Sequence, residues 1–111
     1  MASVTVLDKI YQAFSFEYLD VTNAVKVGLT EATFKPDGEQ PARAALITFG
    51  DAAVRWRSDT DAPDETAANL ILYGHLMGAA DHLTIYGLQD LMNFRAIAIS
   101  TASAVHVTYL R

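Results

Sequence analysis

Histidine and aspartate recur in the second half of the chain, at His75, Asp81, His82 and His106. Imidazole and carboxylate are ordinary zinc ligands. The spacing fits no metal-ligating pattern, and Asp81 and His82 face opposite ways if both lie in one strand. These histidines are therefore expected to be hydrogen-bonded or solvent-facing, with no metal. The acids Asp59, Asp61, Asp64 and Glu65 crowd one segment, and alternating oxygen side chains can hold calcium. The run lacks the central glycine and terminal bidentate glutamate of the helix-loop-helix calcium motif, so a solvated acidic loop is expected. Arg55 and Arg57 share one strand face by parity, and Arg95 lies in another strand. Guanidinium groups suit bidentate carboxylate binding. Two readings follow: surface arginines paired with nearby acids, or a contact with the acidic loop of a neighbouring copy. On the second, Arg55, Arg57, Arg95, Asp59, Asp61 and Tyr73 are the candidate interface residues. The chain has no nucleophile elbow, phosphate loop, dinucleotide fingerprint or zinc-protease helix. Neither enzymatic activity nor a cofactor is expected.

Short β-prone runs must position these groups. Residues 3–8 and 11–20 are rich in Val, Ile, Tyr, Phe and Thr. Phe14, Phe16 and Tyr18 share one parity, so they form an aromatic stripe expected to pack in the core, an exposed contact patch being the alternative. Pro36-Asp37-Gly38 marks a loop over 29–41. Residues 42–49 and 53–58, joined by Gly50-Asp51-Ala52, read as a hairpin, with Val54 and Trp56 facing in and Arg55 and Arg57 facing out. The acids and Pro63 make 58–69 a loop. Leu70, Tyr73 and Met77 sit at helical spacing, but Gly74 and Gly78 oppose a helix, so 70–80 reads as a long loop with one helical turn at most. Strands are expected at 82–86, 94–100 and 104–110, with a short helical turn at 88–92. The sum is an all-β fold, an antiparallel β-sandwich or jelly-roll-like barrel with one short helical turn. It forms a single domain over 1–111, with 1–10 as either an N-terminal arm or an edge strand.

Composition narrows the partners. The 111 residues carry a net charge of −5 and no cysteine, with 51% apolar and 19% charged side chains. Disulfides and thiolate chemistry are excluded, and disorder is not expected. Nucleic acid and anionic membranes are poor partners for an acidic chain with scattered bases. No apolar run is long enough to span a bilayer, and the N-terminal residues lack the pattern of a signal peptide.

A resemblance rests on a series of short motifs. In order they are Ala44-Ala45-Leu46-Ile47-Thr48-Phe49, Ala53-Val54-Arg55-Trp56-Arg57, Ala62-Pro63, Gly74-His75-Leu76-Met77, Asp81-His82-Leu83-Thr84-Ile85, Asn93-Phe94-Arg95-Ala96-Ile97 and Ala104-Val105-His106-Val107-Thr108-Tyr109. This series, over 42–111, resembles small proteins encoded in tailed-bacteriophage genomes. The stretch Asp64 to Tyr73 is longer than the link usual in that set. The resemblance implies a β-sandwich virion structural protein, first of all a capsid decoration (cement) protein. Its partner would then be the major capsid protein or another virion protein, its location the virion assembled in the host cytoplasm, and its state a homo-oligomer, a trimer by preference. Tail-, fibre- or connector-associated roles are alternatives. A carbohydrate-binding module is another, with Tyr73, Tyr86 and Trp56 stacking on sugars, and a cupin-like metal enzyme is a third.

Overall fold

The structure is a computed structural model that describes the backbone of residues 3–6 and 9–111 and the side chains of residues 11–111. Among the described residues, nine strands form two antiparallel sheets. The larger contains β1 (Ser3–Val6), β2 (Lys9–Val21), β9 (Ser103–Leu110), β4 (Ala44–Phe49) and β7 (His82–Tyr86), in that order across the sheet. The smaller runs β3 (Val27–Gly28), β8 (Arg95–Ala98), β5 (Val54–Arg57), β6 (His75–Met77). The expected all-β sandwich is what the chain forms, and the expected turn at 88–92 is the short helix α3 (Leu88–Asn93). Two further short helices, α1 (Glu31–Phe34) and α2 (Ala67–Tyr73), lie in segments read as loops.

Period-two alternation builds the core. Val105, Val107 and Tyr109 of β9 point inward with Ala45, Ile47 and Phe49 of β4 and Leu19 and Val21 of β2, all buried. They meet Val54, Ala96 and Ala98 of the smaller sheet. Non-directional burial of this apolar area is the dominant stabilising term.

Three sequence expectations are corrected. First, 42–49 and 53–58 do not pair with each other. β4 pairs with β9 and β7, while β5 pairs with β8 and β6. Both strands have a buried face, Ile47 on one and Val54 on the other, and the link lets these faces oppose each other across the sandwich. Gly50 sits at the crossing, where an added Cβ would lie 2.6 Å from the Ala104 carbonyl oxygen. Second, the stripe Phe14, Phe16, Tyr18 is split: Phe14 packs half-buried against the core as expected, but Phe16 and Tyr18 do not. A β-bulge between Ala13 and Ser15 shifts the register, so that Ser15, Glu17, Leu19 and Val21 share the parity of the core and Phe16 and Tyr18 face outward. Third, 70–80 is not mainly loop. α2 runs two turns, its Thr66 side chain capping the Asn69 N–H at 3.1 Å. Gly74 ends the helix rather than interrupting it, and β6 follows directly.

α2 lies on the outer face of the smaller sheet against β5 and β8. There it buries Leu70 and Ile97. Gly74 permits the close approach, because its missing Cβ would sit 2.9 Å from Arg55 Cβ and 2.6 Å from the Leu70 carbonyl oxygen. Of the N-terminal segment, Ser3–Val6 pairs antiparallel with Lys9–Gln12 as an outer strand of the larger sheet. The remainder of the 1–10 arm expectation lies outside the described residues.

Candidate functional site

The sequence-derived site residues are placed as follows. Arg55, Arg57 and Arg95 do share the outer face of the smaller sheet, Arg57 standing opposite Arg95. Each is committed within the chain. Arg57 is bound bidentately to Asp59 and also reaches Glu65 at 3.1 Å. Arg55 Nη1 donates to the Gly74 carbonyl at 3.0 Å, and Arg95 Nη1 to the Met92 carbonyl at 3.1 Å and to that of Phe94. The hydrogen bond from Arg57, above all, holds the Asp59 carboxyl below the usual carboxylate range. Lys26 Nζ donates to the Pro63 and Glu65 carbonyls. The acidic segment is therefore tethered to its own chain from two sides, and Asp61 and Asp64 remain exposed. Tyr73 is 71% exposed and stands with Leu72 and Leu76 at one corner.

The histidines separate. His75 packs its ring 5.0 Å from that of Trp56, while His82 and His106 flank Thr48 on the other sheet. Among the described residues, no three His, Cys, Asp or Glu side chains come together as a metal would require. A shallow depression is lined by Trp56, Arg57, Ser58, Asp59, His75 and Asp90. These are residue types that could serve acyl transfer. Among the described residues, however, no hydrogen bond joins Ser58 to His75 or His75 to a carboxylate, and Asp59 is already held by Arg57. The three aromatics of the sugar-binding alternative do not share a face. Tyr86 is on the larger sheet, Tyr73 on α2, and Trp56 is half-buried on the core side of the smaller sheet.

A different surface emerges from the register of the larger sheet. Its residues of outward parity form three rows across β2, β9, β4 and β7, and in the first of these Ala44 and Leu110 are fully buried, packed with Tyr11 in a second apolar cluster. The first is Ala13, Leu110, Ala44, Tyr86; the second Phe16, Thr108, Leu46, Thr84; the third Tyr18, His106, Thr48, His82. No Lys, Arg, Asp or Glu occurs in this grid, although 19% of the chain is charged. Phe16 is 80% and Tyr18 57% exposed, and Tyr86 is also exposed. Tyr18 meets His106 edge-on at 5.4 Å between ring centroids. Charge returns only at the margins. Asp20 lies beyond the third row, and Arg43 sits over the Tyr11 ring at 4.9 Å beyond the first. Exposed aromatics among uncharged threonines and histidines, inside a charged rim, share the aromatic enrichment and charge depletion of a protein–protein interface core. A solvent-facing antiparallel sheet ordinarily alternates apolar-in with polar-out.

Leu46 and Thr84 were not singled out from sequence, Tyr86 and His106 entered only as a sugar-stacking residue and a metal ligand, and Phe16 only in the contact-patch alternative to a core stripe. Strict alternation in β9 does mark His106 and Thr108 as facing outward, and that signal is readable, whereas Leu110 has the same parity and is buried. The orientation of Phe16 and Tyr18 depends on the bulge, which no residue of β2 announces. Compared with known protein families, characterised proteins and solved structures, the chain matches none.

Proposed function

We propose that this chain is a non-enzymatic assembly module that docks on a companion protein through the uncharged face of its larger sheet. The particular setting we propose is the virion of a tailed bacteriophage, where it decorates and stabilises the coat lattice. The observation that carries the reading is the uncharged outer face of the larger sheet, where Phe16, Tyr18 and Tyr86 stand exposed beside Thr48, His82 and His106. Exposed aromatics on a rigid sheet are strong anchors, because little side-chain entropy is lost when they are covered. The motif order over 42–111 supports the phage setting, and the acidic balance of the remaining surface disfavours nucleic acid as the partner.

In this role the module acts by linkage. A protein that binds the assembled lattice better than free coat subunits adds its binding free energy to the lattice. Symmetry repeats each modest contact many times. The test is to purify particles from a host carrying the encoding genome and to quantify the chain in them by mass spectrometry. Rebinding to particles stripped of the chain is then compared for the wild type and a Phe16→Asp/Tyr18→Asp double variant. The expected result is a stoichiometric virion component whose rebinding is abolished in the double variant while its melting temperature is kept. Absence of the chain from purified particles overturns the phage setting, and full rebinding of the variant overturns the assignment of the face.

A further inference from the structure

The edges of the two sheets are not equally guarded. β3 is two residues long and β6 three, too short to template much pairing. Along Ala13–Val21, β2 carries a bulge and the inward carboxylate of Glu17. That carboxylate accepts from Thr30 N at 3.1 Å, Thr30 Oγ1 at 2.7 Å and the Tyr109 hydroxyl, which ties the segment before α1 alongside the strand. Bulges, inward charges, short strands and covering segments are the devices that keep an edge from pairing with another chain. β7 has no bulge and no inward charge. Its sequence His82-Leu83-Thr84-Ile85-Tyr86 contains no charge, no proline and no glycine, and its pairing with β4 is regular over all five residues.

The hydrogen bonds beside β7 fix which backbone groups are free. Phe49 N–H donates to the Asp81 carbonyl, and Gly87 N–H donates to the Arg43 carbonyl. Bonded pairs alternate in an antiparallel ladder, so Asp81, Leu83, Ile85 and Gly87 turn their backbone groups toward β4. His82, Thr84 and Tyr86 turn theirs toward the open edge, where no described strand pairs with them.

The geometry points to a second copy of this chain as the occupant of that edge, with β7 pairing antiparallel to itself about a twofold axis through Thr84. In this register His82 faces Tyr86 of the other copy, Thr84 faces Thr84, and Tyr86 faces His82. These are the three residues with free groups, and each pair exchanges two N–H···O bonds. The side-chain pairs are aromatic with aromatic and threonine with threonine, both favourable across strands, and no like charges meet. The core-facing Leu83 comes beside Ile85. The operation closes on itself, so it gives a dimer and not a filament, in place of the threefold state the sequence reading prefers. An edge contact of this size falls below about 1,200 Å² in total, the range of weak, reversible association. The inference is independent of the virion setting.

Sedimentation equilibrium of the purified full chain over a wide concentration series tests it. The wild type should be a reversible dimer at the upper end. Thr84→Pro removes the central N–H on the side away from β4, a place where an edge strand tolerates proline. It should weaken the dimer by about tenfold or more through its two lost bonds, with the circular-dichroism spectrum unchanged. Thr84→Lys and Thr84→Glu place like charges on the axis, so each alone should be monomeric. Their equimolar mixture should recover a dimer, because the residue faces itself. A wild type that is monomeric throughout, or a Thr84→Pro dimer as tight as the wild type, overturns the proposal. If Thr84→Pro does not fold, the lysine and glutamate variants decide, and a mixture no more associated than its components is the negative result.

Discussion

Replacing Phe16 with threonine separates the two possible faces of β2 by energy. Fully burying a phenylalanine side chain contributes roughly 1.5–3 kcal/mol. Phe16 is 80% exposed, so about a fifth of that, ~0.3–0.6 kcal/mol, is at stake in the isolated chain. Threonine keeps the β-propensity of the position, and the new cross-strand neighbour is Thr108, a compatible pair. Phe16→Thr should therefore cost about half a kcal/mol. Leu19→Ala, three residues on and facing the core beside Val105, should cost about 2–5 kcal/mol. Urea unfolding followed by tryptophan fluorescence from Trp56 measures both, read from the midpoint with the slope checked for constancy. A Phe16→Thr cost above about 2 kcal/mol would mean that the ring is in the core. The bulge and the uncharged face built on it would then be wrong together.

Gly74→Ala should lower stability by about 1–3 kcal/mol, because its Cβ would lie 2.6 Å from the Leu70 carbonyl oxygen and 2.9 Å from Arg55 Cβ; the urea midpoint reads this. Burial first, and then hydrogen bonding to Glu17, raises the Tyr109 hydroxyl well above the ordinary phenol range. Its contribution is fully present below about pH 10 and declines as pH rises past that value, where the unfolded chain ionises and the folded one does not. Between about pH 9.5 and 11 the stability of Tyr109→Phe should fall less steeply than that of the wild type. Arg57→Gln releases Asp59 and Glu65, so amide exchange over 58–66 should quicken while that of β9 stays slow. In the wild type the same loosening should appear only as pH falls through the Asp59 value, which its hydrogen bond to Arg57 holds below the ordinary carboxylate range.

The fold was legible because its signal is local. Val105, Val107 and Tyr109 alternate against His106, Thr108 and Leu110, and the strand they mark is found at Ser103–Leu110. Pairing partners are not local. A glycine-containing link of the kind at Gly50 can close a hairpin or carry the chain to the opposite sheet, and the choice depends on Ile47 and Val54 each requiring a buried face. The helix α2 was obscured because Gly74 reads as a helix breaker, whereas here it is the residue that lets the helix end against β5. Among the site residues, Arg55 and Arg57 share a strand face as their parity implies, Arg95 stands on that face opposite Arg57, and Tyr73 is exposed. That the guanidinium groups are spent on Asp59, Glu65 and the carbonyls of Gly74, Met92 and Phe94 is tertiary information. The outward turn of Phe16 and Tyr18 is the largest gap, since one inserted residue reverses the parity of everything after it.

Charge placement joins the two proposals. The chain carries a net −5, and that charge lies outside the grid on the larger sheet. Copies that meet through the acidic segment present acid to acid at Asp61 and Asp64, while the grid and the β7 edge are surfaces where approach meets no like charge. Pairing at β7 would extend one sheet through both copies. His82, Thr84 and Tyr86 are the last column of the grid, so the two uncharged faces would adjoin on the same side of the extended sheet. A companion surface with twofold-related or repeated sites then meets both faces in one orientation, and the second contact forms at high effective concentration. The weakness of the edge contact alone is compatible with this arrangement. A dimer that dissociates freely in solution and is held on a repeating surface would report assembly of that surface, whereas a tight dimer would bind its components indiscriminately.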